Sequence, residues 1–219
     1  MICNKISNIK TEINEISKKS LLAYNNVKII AVSKNQPVEK IIEAIKCGQI
    51  DFAENYIQEA SEKWIDIKQK YPHIKLHLIG HLQSNKAKKA LELFDVIHSL
   101  NSVSLAKKIS NIMLENNLIN KSFLIQLLLD ENSHTKQGAP VKELPDLLEC
   151  CKQLNLDVKG LMVIAPQDVP IAPYFAFTKN LANKYQLKDL SMGMSGDYKV
   201  ALRFGSTMIR IGTGIFGSR

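Results

Sequence analysis

The sequence predicts an α/β chain built as a TIM-type (β/α)8 barrel, and three observations carry that expectation. Short β-rich apolar runs alternate with longer stretches of helical spacing. Eight such runs occur, most followed by a helix, which argues for a parallel sheet with helices outside. No Pro/Gly/Ser linker, repeat or low-complexity segment divides the 219 residues, so residues 1–219 read as one domain. A doubly wound open sheet shares this alternation, and periodicity alone does not separate the two.

The elements follow in order. Residues 5–22 read as an extra N-terminal helix, with Ile6, Ile9, Ile13, Ile16 and Leu21 on one apolar stripe. A strand at 27–33 leads to a helix at 37–47, with Pro37 near its first turn and Gly48 after its end. A short strand at 51–53 precedes a helix at 56–69. A strand at 75–79 precedes a helix at 85–93, for which Ser84 is a candidate cap. The strand at 96–99 and helix at 102–116 come next. The strand at 122–129 is followed by the polar loop DENSHTKQG and a helix from 140 to 154. The strand at 158–162 leads into a helix ending near 185. A strand at 189–191, a helix at 197–204 and a strand at 207–211 complete the pattern.

Hydrophobic residues are 45% and charged residues 23% of the chain, which excludes general disorder. About 70% of the extended chain's surface can be buried at this size, so the core needs no staple. No apolar run reaches the ~18 residues of a membrane span. The N-terminus, MICNKISNIK, lacks an apolar signal core, so a cytoplasmic protein is expected. Cys3, Cys47, Cys150 and Cys151 include no C-x-x-C pair, so reduced thiols are expected, with neither a disulfide framework nor a zinc site. The net charge of +8 permits attraction to anions, but the lysines are scattered and no RNA-binding signature occurs. Nucleic-acid binding is therefore not expected. Lys86, Lys88 and Lys89 read as the outer face of one helix.

A barrel of this type carries its site at the C-terminal ends of its strands. Those ends are at Ser33-Lys34, Glu54-Asn55, Gly80-His81, 99–101, Asp130, 162–164, Ser191-Met192 and Gly212-Thr213. Lys34 closes the apolar strand IIAVSK and is either a solvated lysine or a Schiff-base amine at the mouth. In GSTMIRIGTGIFG, Gly212, Gly214 and Gly217 fit G-x-G-x-x-G. Only two residues follow Gly217, so the dinucleotide reading fails. A phosphate-binding turn fits better, because glycines let backbone amides approach an anion and Thr213 adds a hydroxyl. With Ser191 at the end of strand seven, both loops that commonly hold phosphate in barrels are represented. Arg210 shares a strand face with Gly212, and if inward it needs an acceptor. Asn55 is either a ligand-orienting amide or a helix cap. His77 and His81 lack metal geometry, and Ser195 lacks the hydrolase elbow. No metal and no catalytic residue are assigned.

These segments together resemble the pyridoxal 5′-phosphate homeostasis protein family (the YggS/PROSC group). The matching stretches are AVSK at 31–34, FAENYIQEA at 52–60, HLIGHLQSNK at 77–86, GLM at 160–162, LSMGMSGDY at 190–198 and GSTMIRIGTGIFG at 205–217. The resemblance implies a fold similar to the N-terminal barrel domain of alanine racemase, with pyridoxal 5′-phosphate (PLP) as cofactor. It implies Lys34 as the Schiff-base lysine, and Ser191, Gly212 and Thr213 as the phosphate cup. Arg210 would partner the pyridine nitrogen, and Asn55 and Met162 would line the pocket. An arginine there disfavours pyridine protonation and mutes carbanion chemistry. The racemase's second domain, which supplies an opposing tyrosine, has no replacement here. The implied role is therefore a carrier in PLP homeostasis and delivery, a monomer whose partners are PLP, apo PLP-dependent enzymes and free amino acids. A PLP-dependent amino-acid racemase-like enzyme is the alternative. Ala53, Gly196, LIQLLLD and a shortened GLMVIAP depart from the family pattern and bear on loop shape.

Overall fold

A computed structural model describes residues 1–19, 27–129, 137–166 and 169–217. Nine parallel-paired strands occur among them: β1 (Lys28–Val32), β2 (Asp51–Glu54), β3 (Lys75–Leu78), β4 (Val96–Leu100), β5 (Ser122–Leu128), β6 (Ala139–Pro140), β7 (Asp157–Met162), β8 (Asp189–Met194) and β9 (Met208–Ile211). Their order is β4-β3-β2-β1-β9-β8-β7-β5-β6, and β4 also pairs with β5. That pairing closes the sheet, with β6 outside the ring, and eight strands form a TIM barrel. The open-sheet alternative is thereby removed.

The helices are α1 (Ile2–Lys19), α2 (Val38–Lys46), α3 (Ile57–Lys70), α4 (Ala87–Leu93), α5 (Val103–Glu115), α6 (Leu144–Gln153), α7 (Ala172–Lys184), α8 (Tyr198–Arg203) and α9 (Thr213–Phe216). They cover the barrel's outside. Between them and the strands lies the larger apolar core, which includes Phe52, Trp64, Phe94, Phe123 and Phe175, all fully buried. A separate, smaller cluster fills the barrel's lumen: Ile30, Val32, Ala53, Leu124, Met162 and Met208. Strands buried on both faces explain why β1 and β5 read as continuous apolar runs. Among the described residues, no helix is long and apolar enough to cross a membrane.

Several expectations are corrected. The helix expected from 140 begins at Leu144, after β6 and a 3-10 turn at Val141–Glu143. Gly138 (φ +125°) permits β6: a Cβ there would lie 2.6 Å from Leu127 C, so only glycine lets the chain draw alongside β5. Ser84 opens a 3-10 turn and makes no cap bond, whereas Ser102 Oγ caps α5 by accepting from Leu105 N at 3.2 Å. The strand expected to stop at Ser191 runs on to Met194 through a register shift at Gly193 (φ +94°). Cys3 and Cys47 are bonded to each other, with Cα atoms 5.1 Å apart across 44 residues. The expectation of reduced thiols fails at this pair because the start of α1 packs against the end of α2, a proximity the spacing does not encode. Asp130 lies outside the described residues.

Candidate functional site

The C-terminal ends of the strands surround a cavity of about 340 Å³. Lys34, Asn55, Met162, Arg210, Gly212 and Thr213 all line it. Its walls also include Val32, Ile79 and Ile164, and Met194, Ser195 and Gly196 from the end of β8 and its loop.

Lys34 sits on the turn that follows β1 and is half-buried. That turn is held from both sides. Ser33 N donates to Ala53 O at 2.9 Å, and Ser33 Oγ donates to Glu54 Oε1 at 2.7 Å. Lys63 Nζ, on α3, donates to Ser33 O and to Glu54 Oε1, each at 2.8 Å. Asn35, with φ 57°, donates its backbone N–H to Glu59 Oε1 at 2.5 Å. Glu54 is fully buried and also accepts from Trp64 Nε1 at 2.9 Å. A buried carboxylate with three donors on one oxygen is a fixed post. It holds the backbone beneath Lys34 while leaving the amine to the cavity.

Asn55 is not a helix cap; Tyr56 occupies that position of α3 without a side-chain bond. Asn55 Oδ1 is buried and has no partner among the described residues. A buried acceptor in this state can take a donor from a ligand or a water in the cavity. Gly80 supports it: a Cβ there would lie 2.0 Å from Asn55 O, so β2 and β3 meet at the rim only over a glycine.

Gly212 is the N-cap and Thr213 the first residue of α9, where Ile215 N and Phe216 N both donate back to Gly212 O. Ser195 Oγ accepts from Gly214 N at 3.3 Å, which draws the β8 loop onto this turn. Lys40 Nζ, on α2, donates to Phe216 O at 3.2 Å and holds the turn from the other side.

Arg210 points into the lumen and is buried. Its Nη1 donates to Ser191 O at 2.6 Å and Ser191 Oγ at 2.8 Å, and its Nη2 to Val163 O at 2.9 Å. Burial pushes its pKa down to about 10, against the opposing pull of Asp197. Ser191 is fully buried beneath the cavity and does not line it. The reason is the extension of β8: Ser195, beyond the expected strand end, stands at the rim instead. The strand-end positions picked from the sequence include Ile164 but miss Ser195, Gln36 and Met194 as lining residues. The second serine of LSMGMSGD is the available signal, but a bulge two residues earlier decides which serine reaches the mouth. His77 is buried in the lumen and His81 is exposed, so the two share no site. Lys86, Lys88 and Lys89 are exposed.

No family model matches the chain. A pyridoxal phosphate homeostasis protein of Vibrio cholerae is 40% identical over 233 residues, covering 100% of this chain and 96% of that protein. One from Synechocystis is 42% identical over 207 residues, covering 89% and 92%. PipY of Synechococcus elongatus, solved with PLP bound, is 35% identical with a TM-score of 0.86 and covers 99% of this chain and 100% of PipY. Its PLP-free structure gives a TM-score of 0.89. Alanine racemase of Clostridium difficile shares the fold at 16% identity and a TM-score of 0.70, and this chain covers 57% of it. Relatedness over the full length, on a barrel whose rim gathers a lysine, an arginine and a glycine turn, places this chain in the pyridoxal phosphate homeostasis protein family.

Proposed function

We propose that this chain binds PLP in the rim cavity and acts in PLP homeostasis, holding the cofactor on Lys34. The observation that carries the reading is convergence. Lys34 from the end of β1, Arg210 from β9 and the Gly212-Thr213 turn line one cavity of about 340 Å³, a volume at the small end of ligand sites. The unpartnered Asn55 Oδ1 in its wall fits a ligand that brings an O–H or N–H.

Lys34 would hold the cofactor through its amine, and bound PLP would supply an aldehyde able to condense reversibly with that amine, with release of water. Thr213 and Ser195 offer hydroxyls, and Gly212 offers close backbone approach, to the phosphate. This assignment replaces Ser191, whose hydroxyl is engaged with Arg210 inside the barrel. Arg210 is a permanent cation at the floor, and a cation there disfavours protonation of a neighbouring ring nitrogen. Met162, Ile164 and Met194 form the apolar walls. A site that grips at the phosphate end and muffles the ring's electron demand suits holding better than turnover. On this reading the protein is a cytoplasmic monomer that gives up its cofactor to apo PLP-dependent enzymes and free amino acids.

Borohydride reduction of the PLP-loaded protein, followed by peptide mass spectrometry, tests the assignment. A pyridoxyl adduct on Lys34, absent from Lys34→Ala, is expected. An unchanged absorption band in Lys34→Ala, with an adduct on another lysine, would overturn it.

A further inference from the structure

Arg210 is one end of a buried polar line that the binding reading does not use. Ser191 Oγ, which Arg210 touches, is 3.0 Å from His98 Nδ1. His98, in the middle of β4 and fully buried, has Nε2 2.9 Å from His77 Nδ1 on β3. His77 Nε2 is 3.0 Å from Oδ1 of Asp51, the first residue of β2. The Asp51 side chain is 19% exposed and borders a cavity at the opposite end of the barrel from Lys34. The line therefore crosses the lumen, from the strands' N-terminal end to the floor of the rim cavity.

Its polarity follows from what each end is able to do. Arginine only donates, and a carboxylate only accepts. Ser191 Oγ accepts from Arg210, so its own proton goes to His98 Nδ1. Burial, with His77, Arg210 and Lys28 nearby, holds His98 well below the usual imidazole range, so it is neutral. A neutral His98 that accepts at Nδ1 carries its proton on Nε2 and donates to His77 Nδ1. His77 then carries its proton on Nε2 and donates to Asp51. Every link is satisfied with no added charge.

One extra proton reverses this order. If His77 takes it, both His77 nitrogens donate, one to Asp51 and one to His98 Nε2. His98 must then carry its proton on Nδ1 and donate to Ser191 Oγ. Ser191 now accepts from both His98 and Arg210, and its hydroxyl proton turns away. The change at the far end is thus delivered to the group that Arg210 grips.

We propose that Asp51, His77, His98 and Ser191 form a directional hydrogen-bond chain that positions Arg210 and relays to it, as a reversal of hydrogen-bond direction and with no proton passed to the guanidinium, the uptake of one proton at the Asp51–His77 end. The charged groups around the chain are Lys28 on β1, Asp189 on β8 beside His77, Lys159 on β7, and Asp197 beyond Arg210. The consequence for the bound cofactor rests on the PLP reading; the chain itself does not.

Imidazole ¹⁵N NMR of the PLP-free protein across pH 8 to 5 tests the chain directly. At pH 8, His98 is expected neutral and protonated on Nε2, donating to His77 Nδ1. On acidification His98 should switch to Nδ1–H while remaining neutral. Asp51→Asn should move that switch about one pH unit or more toward acid, because the counter-charge is lost, and Asp51→Glu should restore it. Asp189→Asn should not abolish it. In the PLP-loaded protein, the absorption maximum should shift with the same pH midpoint. A His98 that is Nδ1-protonated at pH 8, or whose tautomer is unchanged between pH 8 and 5, overturns the chain, and the wild-type titration decides this whether or not a variant folds. A tautomer switch with no spectral shift in protein whose Lys34 adduct is verified overturns the transmission to Arg210. Absence of that adduct instead strikes the PLP reading and leaves the NMR result standing.

Discussion

The barrel has two interiors, and they differ in kind. Outside the strands, Trp64, Phe94, Phe123, Phe175 and their neighbours form a broad apolar layer whose members are fixed by area and shape. Inside, six small and medium apolar residues share the lumen with His77, His98, Ser191 and Arg210, each held by directed bonds. The outer layer tolerates exchange of one hydrophobe for another at modest cost. The lumen does not, because removing one polar member strands the partners it leaves behind. Stability is concentrated in the shell, and chemistry in the lumen and at its rim.

That division is breakable by experiment. The largest loss of stability is expected in the shell: Phe94→Ala should cost about 3–5 kcal/mol in urea unfolding, while the folded fraction still gives the adduct proposed at Lys34 when loaded with PLP and reduced. In the lumen, His98→Leu leaves His77 Nδ1 without a partner and takes the acceptor from the Ser191 hydroxyl proton, at about 1–3 kcal/mol each, while Arg210 still donates to Ser191 Oγ. Unlike the shell variant, it should also change the spectrum of bound PLP.

Acid should weaken the lumen before the shell. His98 titrates near 6.5 when unfolded and well below that when folded. Between those two values the unfolded chain binds a proton that the folded chain refuses, so stability present above pH 6.5 is lost as pH falls. The slope from this residue is at most about 1.4 kcal/mol per pH unit. Urea midpoints between pH 7 and 5 should show it, and His98→Leu should flatten it by one proton. The smallest stability effect belongs to the residue with the largest chemical one: Lys34→Ala should change unfolding free energy by no more than about 0.5 kcal/mol while abolishing the borohydride adduct. If Lys34→Ala unfolded the protein, or Phe94→Ala erased the adduct in its folded fraction, the two interiors would not be separable.

Much of the frame is legible in the order of residues alone. The apolar runs at 27–33 and 122–129 announce β1 and β5, and Pro37 and Gly48 bracket α2. Lys34 at a strand's end and Gly212-Thr213 after the last strand mark the rim. Other parts are not legible. Ser191 lies one layer deeper than its place in the chain suggests, because a bulge at Gly193 lengthens β8, and Ser195 takes the rim for the same reason. The post of Glu54, Lys63 and Trp64 beneath Lys34 joins a strand end to the next helix through side chains whose direction no local pattern specifies. The Cys3–Cys47 bond likewise joins two segments 44 residues apart.

By itself the sequence determined the order and kind of elements, because periods of 2 and 3.6 are written into neighbouring residues and read locally. It also determined which residue types stand at strand ends. Tertiary structure decided the closure of β4 on β5, which face of each strand looks inward, and the meeting of His98 with Ser191 across 93 residues. Those outcomes depend on shear, bulges and burial around the whole ring, and no stretch of chain short enough to show a period contains them.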